Sequence, residues 1–264
     1  MLEAFNIDVF FNPNTPLQNH AIRSLSIKID QGEFVTVIGS NGAGKSTLLG
    51  VFAGDVRPTS GLVRIDRKDV TQEEPYRRAR RIGRVFQDPR AGTCENMTIL
   101  ENLAVASARL RARGLRSSTP KAAIGLWRER LSELRLGLEE RLHDKVGLLS
   151  GGQRQALSLL MACFVPNRAL LLDEHTAALD PNAAENILRL TNEFASRDGL
   201  TVLMVTHSMS QALAHGTRTL MLHEGRVLFG LPHEQKRSMS VSDLQSLFQQ
   251  VRGQTADEDA MVLG

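Results

Sequence analysis

Cysteine is scarce in this 264-residue sequence, which contains only Cys94 and Cys163 and no CxxC pair. This scarcity argues against a disulfide framework or a zinc site and favours a reducing compartment such as the cytoplasm. Long hydrophobic runs are also lacking, because no apolar stretch approaches the roughly 18 residues that a membrane-spanning helix needs. The first residues, MLEAFNIDVFF, have no basic segment and are interrupted by Glu3 and Asp8, so we do not expect a signal peptide.

An excess of charge of one sign is equally absent. The chain has 32 Lys and Arg against 29 Asp and Glu, a formal net charge of +3. A local arginine cluster comprises Arg77, Arg78, Arg80, Arg81, Arg84 and Arg90. Because no aromatic residues are interleaved with it, this cluster is more typical of a solvated face, part of which could meet acidic lipid head groups, than of a nucleic-acid site. We therefore expect no nucleic-acid partner.

A glycine-rich loop stands between a β-branched run at 33–39 and a helical segment at 46–52. The loop fits the phosphate-loop pattern GxxxxGK[ST] in full, with the residues Gly39, Ser40, Asn41, Gly42, Ala43, Gly44, Lys45 and Ser46, followed by Thr47. Glycines let successive N–H groups point at phosphate oxygens, and the helix adds its positive end. Lys45 would reach the β- and γ-phosphates, and the Ser46 hydroxyl would bind magnesium. The alternative is a glycine-rich turn with an incidental lysine.

Two short apolar runs, at 169–172 and 201–205, are typical of central strands in a parallel sheet. Pro181 opens a helix between them that Gly199 closes, so the pattern is doubly wound α/β. Asp173 ends the first run, where its carboxylate could hold magnesium through water, and Glu174 could polarise the attacking water. Taken alone, this acidic pair is also what a solvated strand end looks like.

The segment Leu149-Ser150-Gly151-Gly152-Gln153 predicts a second phosphate-binding helix start. Ser150 is a good N-cap, and Gln153 completes a capping box. The glycines leave bare N–H groups at the positive end of the helix. An ordinary capped helix is the alternative, but it explains only the two capping residues and not the glycine pair.

Other segments differ in pattern from this α/β core. Residues 2–11 and 22–29 alternate without an intervening helix, which predicts an antiparallel β layer, and 219–229 predicts a hairpin. Residues 88–164, with Trp127, predict a helical subdomain. Ser242 and Gln245 suggest the start of a C-terminal helix over 241–252. We thus expect one domain over 1–252, with its core at 1–87 and 165–240, and a flexible tail at 253–264.

Together these motifs resemble the ATP-binding subunit of ABC transporters, over roughly Leu2 to Arg252. The resemblance implies a P-loop NTPase core with a mostly parallel sheet, an N-terminal antiparallel β layer and an inserted helical subdomain. It also implies ATP and Mg²⁺ as ligands. In this family two subunits pack head to tail, and each LSGGQ segment closes over the γ-phosphate of the other copy.

The resemblance assigns further roles residue by residue. Gln87 matches the Q-loop glutamine, which senses magnesium and water, and His207 matches the switch histidine at the γ-phosphate. Asp180 matches the D-loop aspartate at the dimer interface. Phe11 matches the aromatic that stacks on adenine, although with Phe10 beside it a β-layer core residue remains the alternative. The implied catalytic set is Lys45, Gln87, Glu174 and His207, and the implied metal set is Ser46, Gln87 and Asp173.

The resemblance also implies partners. A homodimer would sit on transmembrane permease subunits at the cytoplasmic side of the inner membrane, supplied by an extracytoplasmic solute-binding protein. His175 replaces the usual proline in the segment DEHTAALDP. This variant resembles a branch of bacterial importer ATPases whose solutes include aromatic amino acids. The alternative is a proline-to-histidine exchange in a loop that has no functional role. A simple bacterial exporter, or a soluble ABC ATPase acting on DNA or ribosomes, would share the same chemistry.

Overall fold

The architecture is seen in a computed structural model that describes residues 1–110, 121–164 and 169–262. Its strands are β1 (Leu2–Phe11), β2 (Asn19–Ile29), β3 (Phe34–Gly39), β4 (Ser60–Ile65), β5 (Lys68–Asp69), β6 (Ile82–Val85), β7 (Ala169–Asp173), β8 (Thr201–Val205), β9 (Arg218–His223) and β10 (Arg226–Pro232). Its helices are α1 (Lys45–Ala53), α2 (Pro75–Arg78), α3 (Ile99–Ser107), α4 (Lys121–Ser132), α5 (Gly151–Ala162), α6 (Pro181–Asp198), α7 (Met209–Ala214), α8 (His233–Ser238) and α9 (Val241–Val262).

The larger sheet has the strand order β10-β9-β3-β8-β7-β6. Strands β9, β3, β8, β7 and β6 run parallel, as their apolar, β-branched runs predict for strands covered on both faces. The hairpin between β9 and β10 adds an antiparallel edge, which confirms the predicted turn. Glu224 and Gly225 both have positive φ, 45° and 79°, as this tight turn requires.

The smaller sheet is antiparallel, with the order β2-β1-β4-β5, which confirms the predicted β layer. Helix α1 lies in the core that joins this layer to the larger sheet, where Ile7, Phe52 and Leu203 are fully buried in one cluster. Burial of these side chains is the main force that holds the phosphate loop at the start of α1 in place.

Between β6 and β7 the described residues form α3, α4, α5 and short 3-10 turns. Trp127 is 1% exposed and packs in a second core cluster with Leu103 and Leu160. The boundaries predicted for a helical subdomain at 88–164 stay predictions. Residues 111–120 of that segment, 165–168 at the start of the predicted second part of the core, and 263–264 of the predicted tail lie outside the described residues.

The C-terminal helix begins at Val241 as predicted, but its capping residues and its end differ from the prediction. Its capping box is made by Ser240 and Asp243, because the Asp243 amide donates to Ser240 Oγ at 3.2 Å and the Ser240 amide donates to Asp243 Oδ2 at 2.8 Å. The prediction of a capping box at Ser242 and Gln245 was therefore wrong, because the observed box lies two residues earlier in the sequence. The helix also continues to Val262 instead of ending at 252. A single glycine, Gly253, costs a helix only about 1 kcal/mol, and the residues after it include no proline.

None of the helices in the described part of the chain combines the length and hydrophobicity needed to span a bilayer.

The arginine cluster is not a uniformly solvated face, so that interpretation was wrong in part. Arg78 is 0% exposed. Its guanidinium donates to the carbonyl oxygens of Val51 at 2.6 Å and Phe52 at 3.2 Å, at the end of α1, and to Thr71 O at 3.2 Å. Because its guanidinium is buried and bonded to both segments, Arg78 fixes the end of α1 against the loop before α2.

Candidate nucleotide-binding and hydrolysis site

The carboxyl ends of four adjacent parallel strands carry the predicted site residues. Asp173, at the end of β7, lies opposite Val205 on β8, and His207 follows two residues later. Val85 on β6 lies opposite the residue before Asp173, so Gln87 leaves the sheet at the same edge. Strand β3 runs into the phosphate loop beside β8. Ligands of open α/β sheets bind at this edge.

Two glycines of the phosphate loop are required by close backbone contacts. A Cβ at Gly39 would lie 2.2 Å from the carbonyl oxygen of Leu222 on β9. Gly44 has φ 95°, in the left-handed region, and a Cβ there would lie 2.6 Å from Ala21 O. Helix α1 begins at the next residue, Lys45. These contacts hold the loop against both sheets, with its amides at the positive end of α1.

Lys45 is held inside the loop and is only 5% exposed. Its Nζ donates to Gly39 O at 2.9 Å and to Ser40 O at 3.0 Å. Burial lowers the pKa of Lys45, and the nearby carboxylates of Glu174 and Asp173 act in the opposite direction. The ammonium group is thus held by the loop carbonyls, and the acidic pair favours its charged form.

The other residues of this segment differ in their exposure to solvent. Asn41 and Gly42 are exposed, Ala43 is buried, and Thr47 is half-buried in the first turn of α1.

Ser46 and Asp173 bring two oxygen ligands together. The Ser46 hydroxyl donates to Asp173 Oδ1 at 3.1 Å, and Arg84 Nη2 lies 3.7 Å from Asp173 Oδ2. The described residues include no group of three or more His, Cys, Asp and Glu side chains that could hold a metal ion. These oxygens suit Mg²⁺, which keeps several waters and is typically held by one or two protein groups together with phosphate oxygens. The pair fits an ion that arrives with a nucleotide.

Glu174 and His207 form a direct pair. His207 Nε2 lies 2.5 Å from Glu174 Oε1, and the side chains are 47% and 11% exposed, respectively. Glu174 has φ 45°, which is uncommon for a residue with a side chain. Its amide donates to Val205 O at 3.0 Å, so the ladder with β8 holds this backbone in place. Both side chains thus face the same edge of the sheet as Lys45.

Gln87 and Phe11 are both exposed. Gln87 is exposed just beyond β6. Phe11 is 38% exposed at the end of β1, whereas Phe10 stacks on His20 with ring centroids 3.9 Å apart. Phe11 is therefore not a core residue of the β layer, and its ring is free to take a flat ligand.

The LSGGQ segment begins α5 as predicted. The Gln153 amide donates to Ser150 Oγ at 3.3 Å, and the Ser150 amide donates to Gln153 Oε1 at 3.1 Å, which confirms the capping box. A Cβ at Gly152 would lie 2.9 Å from Ala183 Cβ on α6, whereas Gly151 has room for one. Packing therefore accounts for one of the two glycines, and the exposed Gly151 keeps an open approach to the amides.

Asp180 caps the next helix. Its carboxylate accepts from the Ala183 amide at 3.0 Å, with Pro181 in the first turn of α6. The Asp-Pro dipeptide is a signal for this role that we did not use. The dimer contact implied for Asp180 stays a prediction.

His175 points away from the strand-end edge. It is 2% exposed, and its Nε2 lies 3.2 Å from Thr191 Oγ1 on α6. The Thr191 hydroxyl donates to Ile187 O at 2.8 Å, so the histidine Nε2 is the donor between the two side chains. Burial, with a smaller contribution from His215, lowers the pKa of His175 to about 3. The side chain is a neutral tether between the loop and α6.

One site residue was missed. Arg84 lies on β6, pairs with Asp55, lies over the Phe86 ring at 4.5 Å and reaches towards Asp173. We had grouped it with the solvated arginines. Its position on a strand adjacent to the acidic pair was the available signal.

Comparison with known proteins agrees with this geometry. The family model described as "ABC transporter" matches residues 22–177. The tyrosine transport ATP-binding protein of Clostridioides difficile is 40% identical over 255 residues, 94% of this chain and 99% of that protein. The phosphate import ATP-binding protein of Aeropyrum pernix is 36% identical over 215 residues, 79% of this chain and 83% of that protein.

A solved structure of a dimeric ATP-binding cassette, in a post-hydrolysis state bound to ADP and Pi, superposes with a TM-score of 0.75 at 30% identity. The match covers 88% of this chain and 99% of that one. The chain therefore belongs to the ABC transporter family, as an ATP-binding subunit with ATPase activity.

Proposed function

We propose that the chain powers solute import through a separate membrane permease. Two copies would act as a head-to-tail homodimer, peripheral to the cytoplasmic side of the inner membrane. The observation that carries this proposal is the meeting of Lys45, the Ser46–Asp173 oxygen pair and the Glu174–His207 pair at one edge of the sheet.

Each residue of that edge has a role that its geometry supports. Lys45 would leave the loop carbonyls to neutralise the β- and γ-phosphates. Mg²⁺, when bound, would supply further charge neutralisation there, held by Ser46 and Asp173, with Gln87 as an additional ligand from its exposed loop. Glu174 would orient the attacking water and accept its proton. His207 would fix the Glu174 carboxylate and contact the γ-phosphate. Phe11 would stack on the adenine.

The start of α5 supports the dimer. Ser150 and Gly151 are exposed at a helix N-terminus, which is a second phosphate-type site in a chain that already has a phosphate loop. One ATP does not need both. In a head-to-tail dimer the Ser150 end of each copy, with Gln153 behind it and the Asp180 loop beside it, would close over the nucleotide of the other copy. The dimeric cassette among the similar structures supports this arrangement.

A permease segment would dock beside the loop of Gln87. A groove of about 250 Å³ lies there, lined among others by Phe86, Val105, Ala106 and Met161. Val105 is 58% exposed at this groove. An apolar, cytoplasmic helix of the permease would fit this groove and would pass the motion of the dimer to the membrane.

We infer an amino acid as the solute, aromatic in the first instance, delivered by an extracytoplasmic solute-binding protein. The tyrosine transport relative, with its 40% identity over 94% of the chain, supports this choice. The DEHTAALDP segment around His175 is consistent with the same importer branch.

Glu174→Gln tests the hydrolytic role. We expect ATP binding to be retained and turnover to fall by at least about a hundredfold, because the amide cannot accept the proton of the attacking water. The ATP-bound dimer should then accumulate, as measured by gel filtration with ATP and magnesium. A variant that remains monomeric under these conditions would contradict the head-to-tail model.

Glu234→Gln is the matched control. It makes the same charge change at an exposed position on α8, after the antiparallel strand β10 and therefore at the opposite edge of the sheet. Turnover of this variant should equal that of the unaltered protein.

Uptake measurements test the solute. In cells that lack the chain, uptake of radiolabelled tyrosine should fall and uptake of phosphate should not. The unaltered gene should restore tyrosine uptake, and the Glu174→Gln gene should not. Unchanged tyrosine uptake in the deletion strain would refute the proposed solute, while the ATPase role would stand.

A further inference from the structure

Gln155 makes two contacts that the proposed function does not use. It lies on α5, just beyond the LSGGQ segment, and is 0% exposed. Its Nε2 donates to Phe86 O at 3.1 Å and to His175 O at 2.6 Å. Phe86 immediately precedes Gln87, and His175 immediately follows Glu174. One buried amide therefore ties α5 to the backbone of both loops that carry these side chains.

The orientation of the amide is fixed by its surroundings. Two carbonyl oxygens flank the same side-chain atom, so that atom must be the nitrogen, because an oxygen there would meet two acceptors and no donor. The Oε1 atom is buried and has no hydrogen-bond partner among residues 1–110, 121–164 and 169–262. Both protons of the amide are thus committed to the loops, and its acceptor is left unused.

We propose that Gln155 is a positioning residue for hydrolysis, which holds the Gln87 and Glu174 loops in register with the LSGGQ helix. The inference rests on the proposed roles of Gln87 and Glu174. Because Ser150 caps the start of α5, a displacement of this helix when the partner's nucleotide binds is transmitted through Gln155 to the hydrolytic residues of the same copy. Each copy thereby senses at its own site whether its LSGGQ segment is engaged.

Gln155→Leu removes the donor and replaces the amide with a shorter, apolar side chain. We expect kcat to fall between about tenfold and a hundredfold, because small displacements of reacting groups have effects of this size. KM and the Kd for a fluorescent ATP analogue should change less than about threefold, since the side-chain hydrogen bonds of Gln155 in the described part of the chain go to Phe86 and His175 and not to the phosphate loop. An unchanged kcat, or a raised KM at constant kcat, would overturn the proposal.

Ser158→Ala is the control for general damage to α5. Ser158 is 3% exposed on the same helix and lies against Gly92, and the hydrogen bonds of the described residues include none from its side chain to the Phe86 or His175 backbone. This variant should keep its kcat, and thermal unfolding of both variants shows whether the fold is retained. An equal loss of kcat in Ser158→Ala would assign the effect to packing of the helix and overturn the role of the amide.

Gln155→Glu keeps the assay informative if Gln155→Leu fails to fold. If the glutamate is ionised, its carboxylate meets two carbonyl oxygens and cannot donate a hydrogen bond to either. Burial raises the pKa of this carboxyl group, and the protonated form can donate one hydrogen bond. The ratio of its kcat to that of the unaltered protein should therefore rise as the pH falls from about 8 to about 6. A ratio that does not vary with pH would refute a role for the donor.

Glu174→Gln distinguishes this inference from the proposed function. If Glu174→Gln hydrolyses ATP at the normal rate, the assignment of the catalytic carboxylate fails, and the positioning role fails with it. If Glu174→Gln is inactive and Gln155→Leu is fully active, only the positioning role fails.

Discussion

Glu174 combines an uncommon backbone with a close side-chain partner. A residue other than glycine in the left-handed region costs on the order of 1–3 kcal/mol, so surrounding contacts must hold it there. At Glu174 those contacts are the amide bond to Val205 O and the His207 ring at 2.5 Å. The contact with the histidine limits the rotation of the carboxylate. Pre-positioning of this kind suits a group that orients water.

His175 should make stability depend on pH. Its folded pKa, about 3, lies below the unfolded value of 6.5, so between these values the unfolded state binds more protons and stability rises with pH. We expect a loss of about 2 kcal/mol between about pH 7.5 and about pH 5, from this residue alone. Urea unfolding at both pH values measures the loss.

His175→Gln is the comparison variant, because glutamine can still donate to Thr191 and does not titrate. The difference in unfolding free energy between the two pH values should be smaller in this variant by about the same 2 kcal/mol. Equal pH dependence in both proteins would mean that the imidazole is accessible to protons in the folded state.

At the scale of elements, the contact between α5 and α6 depends on one glycine. A Cβ at Gly152 would lie 2.9 Å from Ala183 Cβ, whereas a Cβ at Gly151 would lie 3.7 Å from its nearest neighbour. The first distance requires a shift of the helices, and the second is an ordinary contact. Substitutions at these two adjacent glycines therefore distinguish the effect of helix packing, at Gly152, from the effect of access to the helix start, at Gly151.

Gly152→Ala should lower the free energy of unfolding by about 1–3 kcal/mol, because the added methyl overpacks the α5–α6 contact. Gly151→Ala should leave it unchanged or raise it by up to about 1 kcal/mol, because alanine favours the helix. Urea denaturation of both variants checks the pair. The same loss of stability in both would show that the packing of α6 does not set the requirement for glycine.

Predictions at this scale succeeded where the signal was local. The Ser150 cap, the helix from Pro181 to Gly199 and the hairpin at Glu224 each depend on a few neighbouring residues, and each is confirmed. The capping box of α9 was misplaced because several serines stand close together, and either Ser240 or Ser242 is compatible with a capping pattern. The choice between the two serines depends on how the first helical turn packs against the core, in which Leu244 is buried.

At the scale of the whole molecule, the two phosphate-type helix starts would make each proposed site a product of two copies. In a head-to-tail dimer, the phosphate loop of one copy and the LSGGQ segment of the other would form one site. A defect in either segment should therefore inactivate a site. When the two defects lie in different copies, both should fall in the same site of the dimer and leave the other site intact.

Mixing two inactive variants tests this arrangement. Lys45→Ala and Ser150→Arg should each abolish turnover alone. In a mixed dimer one site carries both defects and the other carries neither, so equal amounts should recover about a quarter of normal turnover. The measurement is ATPase rate against mixing ratio. If both segments served the nucleotide of their own copy, every site would carry one defect, and the mixture would stay inactive.

The sequence by itself determined the features that local chemistry specifies. The phosphate loop, the acidic strand end and the capped LSGGQ helix follow from residue types at short spacing, since backbone geometry over a few residues decides them. The resemblance to ABC ATPases followed from the combination of these motifs, and it placed Gln87 and His207 as well.

Tertiary structure decided what depends on contacts between distant segments. The burial of Arg78 at the end of α1, the inward turn of His175 towards Thr191 and the need for glycine at 152 all arise from packing between elements. Gln155 shows the reason most plainly. Its Nε2 contacts carbonyls 69 and 20 residues away. No periodic pattern encodes such contacts, because they exist only once the helices and strands have packed around a common core.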